Sequence, residues 1–348
     1  MKKFLRIFLV AANILCGLAL IAGALGGYVD PRTMPHLSLF VLAFPVVVFC
    51  MLVILVCDYI WMRMWAVYAA LVFMLAMPAV MDVFPANGPA QRMSPQEREK
   101  SFTFMTYNVL SFWNVHGEYP LNANPTLSEI IAAEPDIACL QETYAFDRMD
   151  RVQVSGAQLD SVYARYPYVV FDARAAMTVL SKFPVKKVEG DDTGAHREVA
   201  VYRAEIRGEE VTIFSVHLRS ICLRGKERTR YGRTTLGKIA GASISRAEQA
   251  DRLMELIQKY APAGNVIVCG DFNDVPGCYT LRRLKDDGLH SVNAMVGHKY
   301  MPTYNAYRLL VNIDHIMYRG ALRPVSITRG AVRNSDHYPV TATFLLQN

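Results

Sequence analysis

Charge is scarce in the first part of this chain. Up to Pro85 the only basic residues are Lys2, Lys3, Arg6, Arg32 and Arg63, and the only acidic ones are Asp30, Asp58 and Asp82. The rest of the sequence lacks other things. It has no phosphate loop of the Walker type, no internal repeat and no low-complexity tract, which argues against P-loop nucleotidases, solenoids and disordered scaffolds. No cysteine or histidine pair stands at the spacing of a structural zinc site. Of the seven cysteines, Cys16, Cys50 and Cys57 lie in or beside apolar runs, and Cys139 and Cys269 lie in strand-like runs where a small buried thiol is ordinary. Cys222 and Cys278 each follow a polar motif and would pair as a disulfide only if their backbones meet in an oxidising compartment.

What fills the charge-poor stretch is apolar. Ile7 to Leu25, Leu37 to Val56 and Trp65 to Met81 are each long enough, the last barely, to cross a bilayer as a helix. Almost no polar face remains for a soluble helical hairpin. A cleaved leader would also explain the first run, but its apolar core is long and further spans follow, so a retained anchor is expected. Lys2, Lys3 and Arg6 precede the first span whereas Arg32 alone follows it, which places the N-terminus in the cytoplasm. Three spans then carry the remainder outside the cytoplasmic membrane; two or four would not. The 348 residues therefore divide into an anchor over 1–86, a polar linker over 87–100 containing Pro89 and Pro95, and a soluble part over 101–348 long enough to bury one substantial core.

In the soluble part, short β-prone runs recur between turn-rich gaps. Phe102 to Val109, Ile137 to Leu140, Tyr168 to Phe171, Met177 to Leu180, Val199 to Ile206, Val211 to Val216, Val266 to Cys269, Ile313 to Tyr318 and Tyr338 to Leu346 are predicted strands. Helical spacing fits Thr126 to Ala133 and Ser245 to Tyr260. Strands outnumber helices, which favours packed sheets with flanking helices over an alternating doubly wound design.

Almost every predicted strand ends in a residue able to bind a metal or a phosphate. Asn108 closes Met105-Thr106-Tyr107-Asn108, Glu142 follows Ala138-Cys139-Leu140-Gln141, and His217 follows Phe214-Ser215-Val216. Asp271 and Asn273 stand in Gly270-Asp271-Phe272-Asn273-Asp274, Asp314 in Asn312-Ile313-Asp314-His315, and Asp336 and His337 in Ser335-Asp336-His337-Tyr338-Pro339. Strand ends hold ligands rigidly. Each piece alone is ordinary: a glutamate after a strand usually opens a solvated loop, and a lone histidine usually sits satisfied in a core or at a surface. Together, in this order, they form a pattern that chance rarely gives.

That pattern resembles the endonuclease/exonuclease/phosphatase superfamily, which includes deoxyribonuclease I-like nucleases, abasic-site endonucleases, neutral sphingomyelinases and inositol polyphosphate 5-phosphatases. The resemblance runs from about Phe102 to Phe344, and Gly-Asp-Phe-Asn-Asp-x-Pro and Ser-Asp-His carry it most specifically. It implies an α/β fold, a four-layer α-β-β-α sandwich of two mixed β-sheets with flanking helices, here preceded by N-terminal transmembrane helices. It also implies a divalent cation, Mg²⁺ or Mn²⁺, at Asn108 and Glu142 with Asp336 nearby, an oxygen-rich set suited to those ions. By the same resemblance Asp271 orients or deprotonates the attacking water and Asn273 donates to the phosphate. His337, paired with Asp314, and His217 would serve the phosphate and leaving group.

Two further positions are less specific. Arg197 stands where relatives often carry a polar substrate-side residue, or is a solvated strand-edge arginine; Tyr304 lines the cleft or packs as an ordinary aromatic. After His217 the chain carries Arg219, Arg224, Lys226, Arg228, Arg230, Arg233 and Lys238 against Glu227 alone. Such a segment attracts anionic headgroups or nucleic acid, or is simply a solvated loop, and with Tyr231 as its lone aromatic it offers no base-stacking platform. The expected partners are a lipid bilayer and a phosphate-ester substrate: a lipid headgroup, a small phosphodiester or, as the alternative, nucleic acid. No protein partner is inferable, and a non-catalytic module would need a lost site residue, which this chain does not show. The exact substrate, monoester or diester, is not legible.

Overall fold

The computed structural model describes residues 2–88, 92–113, 123–145, 154–188, 198–222, 234–306 and 310–347. They form two compact units. One comprises Met1–Pro85, Ser220–Ala250 and Asp274–Asp286; the other comprises Ala86–Arg219, Asp251–Asn273 and Asp287–Asn348.

The first unit opens with α1 (Lys2–Gly26) and α2 (Leu37–Trp61), followed by α3 (Arg63–Leu75) and α4 (Met77–Val83). Two helices, Phe4–Gly26 and Leu37–Trp61, are long and apolar enough to cross a membrane. The third expected span is not one helix. It breaks into α3 and α4, bent by 62°, because Pro78 sits at the start of α4 and cannot continue the hydrogen-bond ladder of the preceding turn. The polar side chains of the hairpin find each other: buried Asn13 donates from Nδ2 to Asp58 Oδ2 at 2.7 Å. Close packing needs Gly23, where a Cβ would run into the Phe40 carbonyl and the Phe44 ring.

Further residues of this unit gather on one short helix. In α9 (Tyr279–Asp286) the Arg282 guanidinium lies 3.9 Å from the Tyr28 ring centroid, and Tyr279 donates from its hydroxyl to Asp30 at 3.4 Å. Lys285 Nζ donates to Asp82 Oδ1 at 2.8 Å, with Arg282 at 3.7 Å from the same carboxylate. Cys222 and Cys278 are both free thiols, Cys278 buried, so the disulfide weighed from sequence does not form.

The second unit contains two six-stranded sheets. The first orders its strands β11-β12-β1-β2-β4-β3, with β1 at Ser101–Asn108, β2 at Ile137–Gln141, β3 at Tyr168–Asp172, β4 at Met177–Ser181, β11 at Leu322–Arg329 and β12 at Val340–Leu346. The second orders them β5-β6-β7-β8-β10-β9, with β5 at Val185–Lys187, β6 at Val199–Ile206, β7 at Glu209–His217, β8 at Asn265–Asp271, β9 at His290–Ser291 and β10 at Asp314–Arg319. Both are mixed: β1 runs parallel to β2 and β7 to β8, while their other pairings are antiparallel. Each parallel pair needs a crossover. Between β1 and β2 it includes α6 (Pro125–Ala133), and between β7 and β8 it is α8 (Thr235–Tyr260).

Phe102, Phe104, Ile137, Val179 and Phe344 of one sheet pack against Tyr202, Ile213, Ile267 and Ile316 of the other in a continuous core. Outside the first sheet, Leu127 and Ile130 of α6 and Val162 of α7 (Gly156–Arg165) cover Met105, Tyr107 and Leu140. Outside the second, Arg203 of β6 reaches the Tyr260 carbonyl at the end of α8 at 3.2 Å. This is the four-layer sandwich expected. The segment read as a linker also contains a helix, α5 (Pro95–Lys100), held by a reciprocal capping box between Ser94 and Glu97.

Candidate active site

The site grows out of the strand pattern. Along β1 the side chains turned toward the opposite sheet are Phe102, Phe104, Thr106 and Asn108; along β2, Ile137, Cys139 and Gln141; along β7, Val211, Ile213, Ser215 and His217; along β8, Ile267, Cys269 and Asp271; and along β10, Tyr318, Ile316 and Asp314. Every stripe is apolar first and polar last, and the register brings the polar ends level: Asn108 pairs with Gln141, His217 with Asp271, and Asp271 with Asp314. From that level Gln141 Nε2 donates to the layer below, across the gap to Ser215 Oγ at 3.2 Å and within its sheet to Thr106 Oγ1 at 3.1 Å.

Asp271 is the hub. Its Oδ2 accepts from Asn108 Nδ2 at 3.1 Å, and lies 3.7 Å from His217 Nε2 and 3.6 Å from His337 Nε2, while its Oδ1 accepts from the Asn273 backbone N–H at 2.8 Å. Asn108 Nδ2 also donates to Glu142 Oε1 at 2.9 Å, and that oxygen is 3.6 Å from His217 Nε2. His337 Nδ1 meets Asp314 Oδ2 at 2.9 Å. Burial alone would depress the His337 pKa, but the carboxylates of Asp314, Asp271 and Asp336 outweigh it and hold the value at about 10. The Asp336 carboxyl is raised, first by burial and then, against the pull of His337, by the neighbouring charges of Glu142 and Asp271.

Local backbone conformation supports these positions. Glu142 and Asn273 both adopt left-handed conformations, φ 55° and 50°, a strained choice for such residues that a surrounding structure must enforce. Beyond Asn108 the chain makes a left-handed turn in which Leu110 N donates to Asn108 Oδ1 at 3.1 Å and Ser111 N to the Glu142 carbonyl at 2.8 Å. Gly270 explains itself by contact: with φ at 140°, a Cβ there would run into the Val216 carbonyl of the parallel neighbour. His217 N donates to the Glu198 carbonyl at 2.9 Å, and Arg252 on α8 fixes the Glu198 carboxylate from both Nε and a terminal nitrogen at 2.9 Å.

Of the positions singled out in the sequence, Asn108, Glu142, His217, Asp271, Asp314 and His337 are joined by direct contacts, and Asp336 feels the charges of three of them. Asn273 turns one amide hydrogen to the Leu218 carbonyl at 3.0 Å, leaving one for a ligand. The half-buried Tyr304 ring packs edge-on against His337, centroids 5.0 Å apart, so it is both packed aromatic and site neighbour. Arg197, and Arg224 to Arg233 of the basic segment, lie outside the described residues. Two residues went unread. Ser335 donates from Oγ to the Asn108 carbonyl at 2.9 Å, stitching the Ser-Asp-His turn to β1; Thr303 Oγ1 accepts the N–H groups of Ile313 and Asp314, both at 3.0 Å. Their signal was adjacency to motif residues, but both act on backbone, which no sequence pattern displays.

Two groupings offer themselves to a cation. Ligand atoms of Asp271, Asp314 and His337 lie within 4.8 Å of one another. The histidine of that trio is engaged at Nδ1 by Asp314 at 2.9 Å and stands 3.6 Å from Asp271 at Nε2, so its ring is already committed to carboxylates. Around Glu142, Asn108 and Asp336, by contrast, oxygen ligands gather: Asp336, raised by burial and further by the charges of Glu142 and Asp271, lies near them, and the Asn108 amide bridges two carboxylates. That set fits a hard divalent ion.

The sequence profile of the endonuclease/exonuclease/phosphatase family matches residues 105–337, and a domain of unknown function (DUF8431) matches residues 3–82. No curated protein matches the chain. Among solved structures, an endonuclease/exonuclease/phosphatase from Beutenbergia cavernae superposes with a TM-score of 0.50 at 17% identity, covering 72% of each chain. The catalytic domain of human nocturnin with bound sulfate gives 0.47 at 19% identity over 72% of this chain and 94% of its own. Truncated Caenorhabditis elegans TDP2 gives 0.45 at 19% over 72% and 99%. The profile match spans the strands that carry every residue of the site, so the chain belongs to the endonuclease/exonuclease/phosphatase family of metal-dependent phosphoric ester hydrolases.

Proposed function

We propose that this chain is a membrane-anchored phosphodiesterase, dependent on Mg²⁺ or Mn²⁺, that hydrolyses a lipid headgroup ester or a similarly small phosphodiester. The observation that carries the chemistry is the convergence of Asp271, His217 and His337 on one point beside the Asn108–Glu142 pair. Asp271 is aligned by two donors, Asn108 Nδ2 and the Asn273 N–H, and accepts a proton from the attacking water. His337, kept protonated by Asp314, and His217 present N–H groups toward the same point and stabilise phosphoryl charge or protonate the departing oxygen. As the water oxygen bonds to phosphorus, the bond to the leaving alkoxide breaks and that alkoxide takes the histidine proton. Glu142, Asn108 and Asp336 would hold the divalent ion, whose chemistry is to neutralise charge on the phosphoryl oxygens.

The preference for a lipid substrate follows from the anchor, since a domain fixed near a bilayer meets headgroups at high effective concentration. The side of the membrane is supported by the first unit. Tyr28 and Asp30 lie in the α1–α2 loop, Asp82 lies at the end of α4, and all three meet α9. That helix of eight residues is only about 12 Å long, whereas α2 carries the chain about 37 Å away from the loop. The bent pair α3 and α4 therefore returns across the same span, and the chain leaves on the side opposite its basic N-terminus, outside the cytoplasm by the positive-inside rule.

The test is Mg²⁺-dependent product release by the full chain in lipid vesicles, with supercoiled plasmid supplied alongside and Asp271→Asn as control. Headgroup release that the variant loses is the expected result. Plasmid nicking that the variant loses would make the protein a tethered nuclease instead.

A further inference from the structure

The inward stripe of β10 does not stop at Asp314. Tyr318, Ile316 and Asp314 alternate on the face turned to the other sheet, and the ladder to β8 continues beyond the strand's first residue, since Phe272 N donates to the Ile313 carbonyl at 2.9 Å. The next residue on that face is Asn312. The antiparallel register that sets Asp314 opposite Asp271 sets Asn312 opposite Asn273, one layer nearer the open end of the site. Asn312 is 1% exposed, the same as Asp271 and Asp314. Yet neither its Nδ2 nor its Oδ1 has a partner among the described residues, and Asp314 Oδ1 beside it has none either.

A buried amide without partners is expensive in free energy, and native chains rarely keep one. An apolar residue of the same size would fold better there. The backbone that follows it is held without the side chain, with Ile313 N and Asp314 N both bonded to Thr303 Oγ1 and the Ile313 carbonyl to Phe272 N. By register the orphan is level with Asn273 and one layer beyond Asp314, the residue that engages His337. We infer that Asn312 is a substrate-binding residue whose Nδ2 donates to a non-bridging phosphoryl oxygen, alongside the donors from His217, His337 and Asn273. This rests on the phosphodiesterase reading of the same site. The amide is unsatisfied until a phosphate arrives, and cooperation between two asparagines just beyond the ends of adjacent strands β8 and β10 grips the phosphoryl group from one wall of the cleft.

The experiment compares wild type with Asn312→Leu and Asn312→Asp as full chains in detergent, all with Mg²⁺. Two readouts are taken: the rise in melting temperature on adding inorganic phosphate, and hydrolysis of bis(p-nitrophenyl) phosphate. The expected result is that Asn312→Leu melts at or above the wild-type temperature, loses the phosphate-induced rise, and hydrolyses about a hundredfold more slowly, the usual cost of removing one transition-state donor. Asn312→Asp, which replaces the donor by a repelling charge, should be worse on both readouts. A lower melting temperature in Asn312→Leu with the phosphate effect intact would overturn the inference and make Asn312 a structural residue. So would hydrolysis within a few-fold of wild type. If wild type binds phosphate and the leucine variant does not, but neither hydrolyses the probe, the phosphodiesterase reading fails while the phosphate-binding role of Asn312 stands.

Discussion

At the scale of single residues, the site is a problem in charge. Four carboxylates, Glu142, Asp271, Asp314 and Asp336, crowd around two imidazoles, and the structure answers by holding His337 protonated to about pH 10. Linkage fixes the sign of the consequence. A histidine whose folded pKa exceeds its unfolded value of about 6.5 contributes stability that is complete below that value and is lost as pH rises toward about 10. Melting of the protein in a chelator should thus show a decline from neutral to alkaline pH that is shallower in His337→Gln, and equal slopes would refute the Asp314–His337 pairing. Catalysis gives a second prediction. Asp271→Asn keeps the size of the side chain and one of its two accepting oxygens but removes the proton acceptor, so turnover should fall by about 10² to 10⁴ with only a small change in melting temperature. Asp314→Asn should cost a similar factor, by removing the charge that orients the His337 ring and keeps it protonated; unchanged turnover in either variant would withdraw its role.

At the scale of elements, the fold places chemistry by continuing its core stripes until they turn polar, so backbone fit at the last turn of a strand matters most. Gly270 is the sharpest instance. Gly270→Ala forces a Cβ into the Val216 backbone and should destabilise by more than about 2 kcal/mol, read as a fall in melting temperature, whereas Gly88→Ala, with open space around it, should change nothing. The same logic explains what the sequence displayed. Strands such as β7 and β8 were legible because alternation and β-branched residues coincide, and Asp271, His217 and Asn108 were legible because they end such runs. The strand β11 was not: Pro324 breaks its pattern, and the structure accommodates it at a sheet edge with a register shift between Pro324 and Ser326. Nor was the first part of α8, where Gly237 and Gly241 weaken local propensity ahead of Ser245 and tertiary packing overrides them. Ser335 and Thr303 escaped because their hydroxyls hold peptide groups, a role that many serines and threonines perform anonymously.

At the scale of the whole molecule, the proposed three traverses, with the bent pair α3 and α4 as the third, make a directional prediction. Protease added to spheroplasts, with the inner membrane sealed, should digest the catalytic part; protection until the membrane is opened would reverse the orientation. The grip on α9 carries a further consequence. Arg282 and Lys285 belong to the span matched by the family profile, but their partners Tyr28 and Asp82 come from the segment that precedes it. The helix α9, although it lies within the profile match, thus packs with the N-terminal helices in the first unit. Cutting the chain after Pro85 would strip α9 of two carboxylates and an aromatic lid, leaving a cationic helix bare a few residues downstream of Asn273. Replacing the first 85 residues by a foreign helix would do the same, so α9 keeps its partners only when the chain keeps its own N-terminal helices.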